Sequence, residues 1–177
     1  LAFIDDGLAE NGGYNEFEGD WSEPTGKINV SWDVNHDILA YATLSRSYKS
    51  GGFNPISANS TLLDPATGGD PNLAEFDPEY INAIEFGLKT RLLEDSLQAN
   101  VTYFYYDFEG LQISKITNQT SINENFDATI QGFEGEFIWV PHVNWRFSAN
   151  LAWLDTEMAD GESVDPADIN LLGTTEN

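Results

Sequence analysis

From Lys27 the chain alternates with a period of two. Lys27, Asn29, Ser31 and Asp33 fall on one parity and Ile28, Val30, Trp32 and Val34 on the other. Successive side chains of a strand point to opposite faces, so the pattern predicts a two-faced β-strand over about 25–35. Asn35, His36 and Asp37 supply a short turn. A second strand is expected over 38–49, with Leu39, Tyr41 and Thr43 opposite Ala40, Ala42 and Leu44, and Arg46 is assigned to the polar side.

The same signature returns further along. Over 79–92, Ile84, Phe86, Leu88 and Leu92 oppose Glu85, Gly87, Lys89 and Arg91. Over 96–113, Leu97, Ala99, Val101, Tyr103 and Tyr105 oppose Gln98, Asn100, Thr102, Phe104 and Tyr106. Over 127–139, Phe133, Phe137 and Trp139 oppose Ile130, Gly132, Glu134 and Glu136. Over 145–154, Trp145, Phe147, Ala149, Leu151 and Trp153 oppose Arg146, Ser148, Asn150 and Ala152. The expectation is an all-β fold: an antiparallel up-and-down meander of about six long strands.

Connections add a second regularity. Short turns near 36, 94 and 142 alternate with longer segments at about 50–77, rich in Gly, Pro, Asn and Asp, and at about 114–126. Strands of this length exceed the roughly 5–6 residues usual in soluble sheets and match the roughly 9–11 needed to cross a bilayer. Short turns on one side and long loops on the other are the habit of membrane barrels. Alternation by itself fits a soluble β-sandwich equally well, because a sandwich also segregates apolar from polar faces.

Rings and charges bear on that choice. Trp32 and Tyr41 flank the first short turn, and Trp139 and Trp145 the third, as a membrane-interface girdle requires; ordinary cross-strand ring packing is the blander reading. Glu85, Lys89, Arg91, Glu134, Glu136 and Arg146 keep to the polar parity, which would face the lumen of a barrel. The 30 acidic against 7 basic residues give a net charge of −23. Such a surface repels phosphate backbones, so nucleic acid is excluded as a partner.

Little chemistry survives inspection. There is no cysteine and there are two histidines, so thiolate and imidazole metal centres are excluded and no cofactor is expected. Glu134 and Glu136 lie two apart, roughly 6.5–7 Å between Cα atoms, a spacing open to glycosidase carboxylates but better read as wall charge. The acidic turn 64–71 lacks the alternating acids of a calcium loop, Ser45, Ser47 and Ser50 lack a nucleophile elbow, and Gly51-Gly52 lacks the rest of a phosphate loop. No run of about 18 apolar residues exists for a transmembrane helix. The first residues carry no signal-peptide pattern, so a mature chain or a missing start is expected.

Three stretches together resemble TonB-dependent outer-membrane receptors. They are Leu39-Ala40-Tyr41-Ala42-Thr43-Leu44-Ser45-Arg46-Ser47-Tyr48-Lys49-Ser50-Gly51-Gly52-Phe53-Asn54; Asp77-Pro78-Glu79-Tyr80 with Ala83-Ile84-Glu85-Phe86-Gly87-Leu88-Lys89; and Ala128 with Gly132-Phe133-Glu134-Gly135-Glu136. The segment Trp145 to Asp155 is similar to the strand that follows in the family. The resemblance implies part of a barrel of about 22 strands, closed by a plug domain not found in this sequence, in a Gram-negative outer membrane. Implied partners are the TonB complex through that plug, outer-membrane lipid, and a scarce small-molecule ligand such as a metal chelate or siderophore. Ligand contact is expected near the outer loops at Arg46, Lys49, Phe53, Tyr106 and Phe108. A passive porin or lipid-transport barrel is the first alternative, and a soluble β-sandwich carbohydrate-binding module the second. About six strands cannot close even an eight-stranded barrel, and strand edges in lipid cost several kcal/mol for each unsatisfied group. The isolated chain is therefore expected neither to insert stably nor to transport; finding it folded and monodisperse in water without detergent would overturn this.

Overall fold

The computed structural model describes residues 2–5, 14–56, 66, 71–117 and 120–159. A small hairpin pairs β1 (Ala2–Asp5) with β2 (Tyr14–Phe17). The main sheet then follows: β3 (Gly26–Asn35), β4 (Ile38–Lys49), β7 (Glu79–Leu92), β8 (Leu97–Thr117), β9 (Thr120–His142) and β10 (Trp145–Met158). Between β4 and β7 a second small pair forms, β5 (Gly52–Phe53) with β6 (Glu75–Phe76), and a 3-10 turn over Pro71–Ala74 leads directly into β6. The six long strands stand in the order β10-β9-β8-β7-β4-β3, every neighbour antiparallel.

Register decides which side chains share a face. Trp32, Ala40, Leu88, Val101, Gly135 and Leu151 form one cross-strand row, and Ser31, Tyr41, Gly87, Thr102, Glu134 and Ala152 form the next. The first row belongs to an apolar face that no described element covers. Val30 is 62% exposed, Phe86 53% and Leu151 66%. A sandwich needs a second sheet over that face, about 10 Å away.

Two expectations are corrected by the register. Tyr41 is opposite Ser31 and Gly87, so it lies on the polar face and not in a girdle with Trp32, whose partner is Ala40. The shift between Asp33 and Asn35 beside the turn sets this pairing; closeness to a turn does not specify parity. Arg46 is opposite Gly26 and Asn82 and shares the parity of Ala42 and Leu44, so it projects from the apolar side rather than the polar one.

A third correction concerns the loop expected at 114–126. Pairing continues from Leu111↔Phe126 to Thr117↔Thr120, making one long hairpin that outreaches β7 and β10. A bulge between Phe108 and Leu111 shifts the register there. The bulge hid the continuity, because one extra residue inverts the parity on β8 while β9 keeps its own. Gly110 occupies the bulge with φ +67°, and a Cβ there would meet the Pro78 carbonyl at 2.8 Å.

The short turns are tight. Leu93, Glu94 and Asp95 all have positive φ (54°, 56° and 65°), a conformation that costs non-glycine residues roughly 1 kcal/mol each. Ser96 offsets part of this by donating to the Leu93 carbonyl from its N–H (3.1 Å) and from its Oγ (2.7 Å).

Successive short turns also slide past one another. Ile38, at the first, is in register with Thr90, two residues short of Leu92. Leu97, at the second, is in register with Trp139, three short of His142. With the turns set at one level, that slide of about 16 Å over four strand spacings of about 19 Å is a strand tilt of about 40°. Closed membrane barrels have tilts of about 35–45°.

Candidate functional site

The polar face is hollowed, with an open concavity of about 480 Å³ lined by Lys89, Asn100, Thr102, Glu134, Glu136 and Asn150 among others. Alternation on β7, β8, β9 and β10 delivers these residues side by side. Asn100 Nδ2 donates to Glu136 Oε2 (3.0 Å), and Tyr106 Oη donates to Glu85 Oε1 (3.0 Å). Each bond crosses to a neighbouring strand, so the carboxylates are held as part of the wall.

Tyr41 completes this floor. Its ring lies over Gly87, where a Cβ would come within 2.2 Å of the ring, and its hydroxyl shares a hydrogen bond of 2.9 Å with the Thr102 hydroxyl on β8. Lys89 Nζ sits 5.7 Å from the ring centroid, within cation–π range. One side chain thus spans β4, β7 and β8. Glycine is needed at 87 because the ring takes the Cβ space. Arg91 shares the concave parity near the short turns, while Arg146 has the parity of Ser148 but stands within the register shift beside its turn.

Further from the short turns the concave face turns aromatic. Phe104 is buried with Tyr106 beside it, ring centroids 5.0 Å apart, and Phe108 shares their parity. Lys49 is opposite Glu79 on the same face. Phe53 packs on Trp21 at 5.8 Å in the β5–β6 region. Arg46 joins none of these. Its guanidinium lies 5.1 Å over the Tyr80 ring and donates to Asn82 Oδ1 (3.0 Å), and Asn82 donates to Glu109 (3.0 Å).

The apolar face carries two rows of rings. Trp145 stacks on Phe147 at 6.0 Å and Trp139 lies 5.7 Å from Phe147, near the short turns. Tyr103, Phe133 and Trp153 are direct cross-strand neighbours, with centroids 5.0 and 6.2 Å apart. Immediately past them Tyr103 Oη donates to Gln131 (3.2 Å) and Gln131 donates to Asp155 (3.1 Å). From Trp145 to Trp153 is roughly 26 Å along the strand, or about 20 Å of height at the tilt above, close to the roughly 25 Å apolar band of membrane barrels. The second row escaped the sequence reading, which sought rings beside turns. Trp32 projects from the apolar face at 65% exposure, level with Leu88.

The sequence matches the family described as TonB dependent receptor-like, beta-barrel, over residues 3–175. The chain belongs to that family. Its members are receptors and transporters, not enzymes. Solved structures of the same fold include the siderophore receptor PirA from Pseudomonas aeruginosa, with TM-score 0.55, 19% identity, and coverage of 75% of this chain and 25% of that one. The copper transporter OprC aligns with TM-score 0.55 and 19% identity over 75% of this chain and 20% of its own. FpvAI, in a complex with pyocin S2, aligns with TM-score 0.51 and 16% identity over 78% of this chain and 18% of its own. This segment of a TonB-dependent receptor barrel therefore spans a quarter or less of these structures.

No cluster of three or more potential metal ligands occurs among the described residues. Most of the acidic turn 64–71 weighed as a calcium loop lies outside them. In the intact receptor, Gly87→Val is expected to expel the Tyr41 ring and cost about 1–3 kcal/mol through overpacking, whereas Tyr41→Phe, which removes one hydrogen bond, is expected to cost about 1 kcal/mol. Denaturant titration of the detergent-solubilised protein would measure both.

Proposed function

We propose that this chain forms part of the wall of an outer-membrane active-transport receptor, which takes up a scarce small ligand with energy delivered through TonB. The observation carrying the reading is the division of one tilted sheet into an uncovered apolar face bounded by two rows of rings and a concave face lined with carboxylates. The apolar face meets lipid, with Trp139 and Trp145 at one interface and Tyr103, Phe133 and Trp153 at the other. The concave face, with Glu85, Lys89, Arg91, Glu134 and Glu136, meets the lumen and offers acidic partners to cationic side chains of a plug.

Ligand contact is assigned to the aromatic outer half of the lumenal wall, where Tyr106 and Phe108 offer ring faces, with Lys49 and Phe53 nearer the rim. Arg46 is left out of this group because it stands on the opposite face from Tyr106 and Phe108. Two neighbours of the same fold are named for a siderophore and for copper, so a metal or metal chelate is the cargo class proposed.

Two measurements test the proposal. Cells expressing the full-length receptor are expected to accumulate a radiolabelled ferric chelate or copper, and to lose accumulation but keep surface binding when TonB is deleted; uptake that persists without TonB would indicate a passive barrel. Separately, Leu151→Arg on the apolar face is expected to destabilise the receptor in lipid by about 2–4 kcal/mol, while Asn150→Arg on the neighbouring polar position costs far less. Equal costs in vesicle refolding titrations would remove the lipid assignment.

A further inference from the structure

The Gly51-Gly52-Phe53-Asn54 stretch takes no part in the hollow, yet Asn54 is completely buried. Every polar group it owns is engaged. Its Nδ2 donates to the Leu73 carbonyl (2.8 Å) and to the Asn123 carbonyl (3.0 Å), and its Oδ1 accepts from the Asn123 N–H (2.7 Å). Its own N–H donates to the Ala74 carbonyl (2.9 Å), and its carbonyl accepts from the Ile56 N–H (2.8 Å).

The position of Asn123 gives this its meaning. β10 ends opposite Ala128, so among the described residues no strand stands beside the outer part of β9. An exposed edge of this kind leaves N–H and C=O groups to be satisfied elsewhere. One carboxamide supplies both a donor and an acceptor to the same residue, as the backbone of a further strand would. Beneath it Ile56 and Ile122 are buried against each other with Leu73 packed on them.

The far end of the same segment is fastened to the same hairpin. β7 starts at Glu79, so among the described residues no strand stands beside β8 beyond Glu109 either. Glu79 Oε2 accepts from the Gln112 N–H (2.9 Å). The Gln112 side chain donates to the Ser50 carbonyl (2.8 Å) and the Asp77 carbonyl (3.0 Å), joining both ends of the segment at one amide. Asn125 accepts from the Asp77 N–H (2.8 Å) and donates to the Asp77 (2.8 Å) and Gly110 (2.7 Å) carbonyls.

We infer that Asn54 is a positioning residue that takes the place of a neighbouring strand at Asn123 of β9, and that with Gln112 it ties residues 50–56 and 71–78 to the outer β8–β9 hairpin as one cooperative unit of local unfolding. Gly51 and Gly52 permit it. A Cβ on Gly51 would meet the Phe76 carbonyl at 2.6 Å, and one on Gly52 would meet the Phe76 ring at the same distance.

Hydrogen–deuterium exchange on the full-length receptor in detergent tests the coupling. In Asn54→Ala, amides of 50–56, 71–78 and 110–126 are expected to lose protection together, by about ten- to a hundredfold for two or three lost bonds, while 97–108 keeps its protection. Asn54→Asp keeps the acceptor but turns a buried carboxylate oxygen toward the Leu73 and Asn123 carbonyls, so it is expected to lose at least as much protection as Asn54→Ala, and Gln112→Ala serves if the alanine variant fails to fold. Gln112→Ala must then loosen 50–56 as well. Loss of protection at 50–56 and 71–78 with 110–126 unchanged, or no change in either, would overturn the inference. The result does not depend on cargo or on TonB.

Discussion

Cross-strand register is the constraint on which the rest of this structure depends. Side chains alternate with a period of two, so a slip of one residue in any ladder would exchange the two faces of that strand. Leu88, Val101 and Leu151 would then enter the concave side, and Lys89, Glu134 and Asn150 would leave it. Several contacts lock the register against such slips. Tyr41 fits only over a glycine and reaches only the Thr102 hydroxyl; Asn100 and Tyr106 find carboxylates only at the observed pairing. Each bond is worth about 1 kcal/mol, but a slip of β8, which carries one partner of each, would break all of them at once and turn Asn100 and Thr102 to the apolar side.

Where strands outrun their neighbours the same backbone groups become a problem of a different kind. Inside the sheet each is satisfied by the adjacent ladder. At the outer end β8 and β9 run beyond the described parts of β7 and β10, and side chains bond their edges: Glu79 on one and Asn54 on the other. The ion pair of Lys115 with Glu124 (2.6 Å), with Lys115 over the Phe126 ring at 5.3 Å, steadies the inner surface of this hairpin. The outer region is thus tied down by polar side chains, with a small apolar cluster beneath them.

Much of this was legible from residues alone, because alternation is a direct consequence of strand geometry. The faces of β7, β9 and β10 and the tight turns between them follow from it. Tyr41 and Arg46 were misplaced for one reason: on β4 neither parity is clearly apolar, so the pattern could not vote and only pairing with β3 and β7 could. The outer hairpin reads as a loop in sequence because Ser114, Asn118, Gln119 and Asn123 are turn formers, while the bulge at Gly110 inverts the alternation. Asn54 stands in a family stretch, but its role depends on an edge roughly seventy residues away in sequence, which no local pattern encodes.

The slide of two to three residues between successive hairpins also fixes a bore. If the wall closes with the about 22 strands that the family resemblance implies, a tilt near 40° gives a circumference of about 138 Å and a backbone diameter near 44 Å. After inward side chains are allowed for, roughly 34 Å remains, enough for a folded domain of about 100 residues, whose radius of gyration is about 13 Å. An opening of that width would pass solutes of almost any kind. A wall built with this stagger cannot select by size, so discrimination must come from whatever stops the bore and from the surfaces at its mouth.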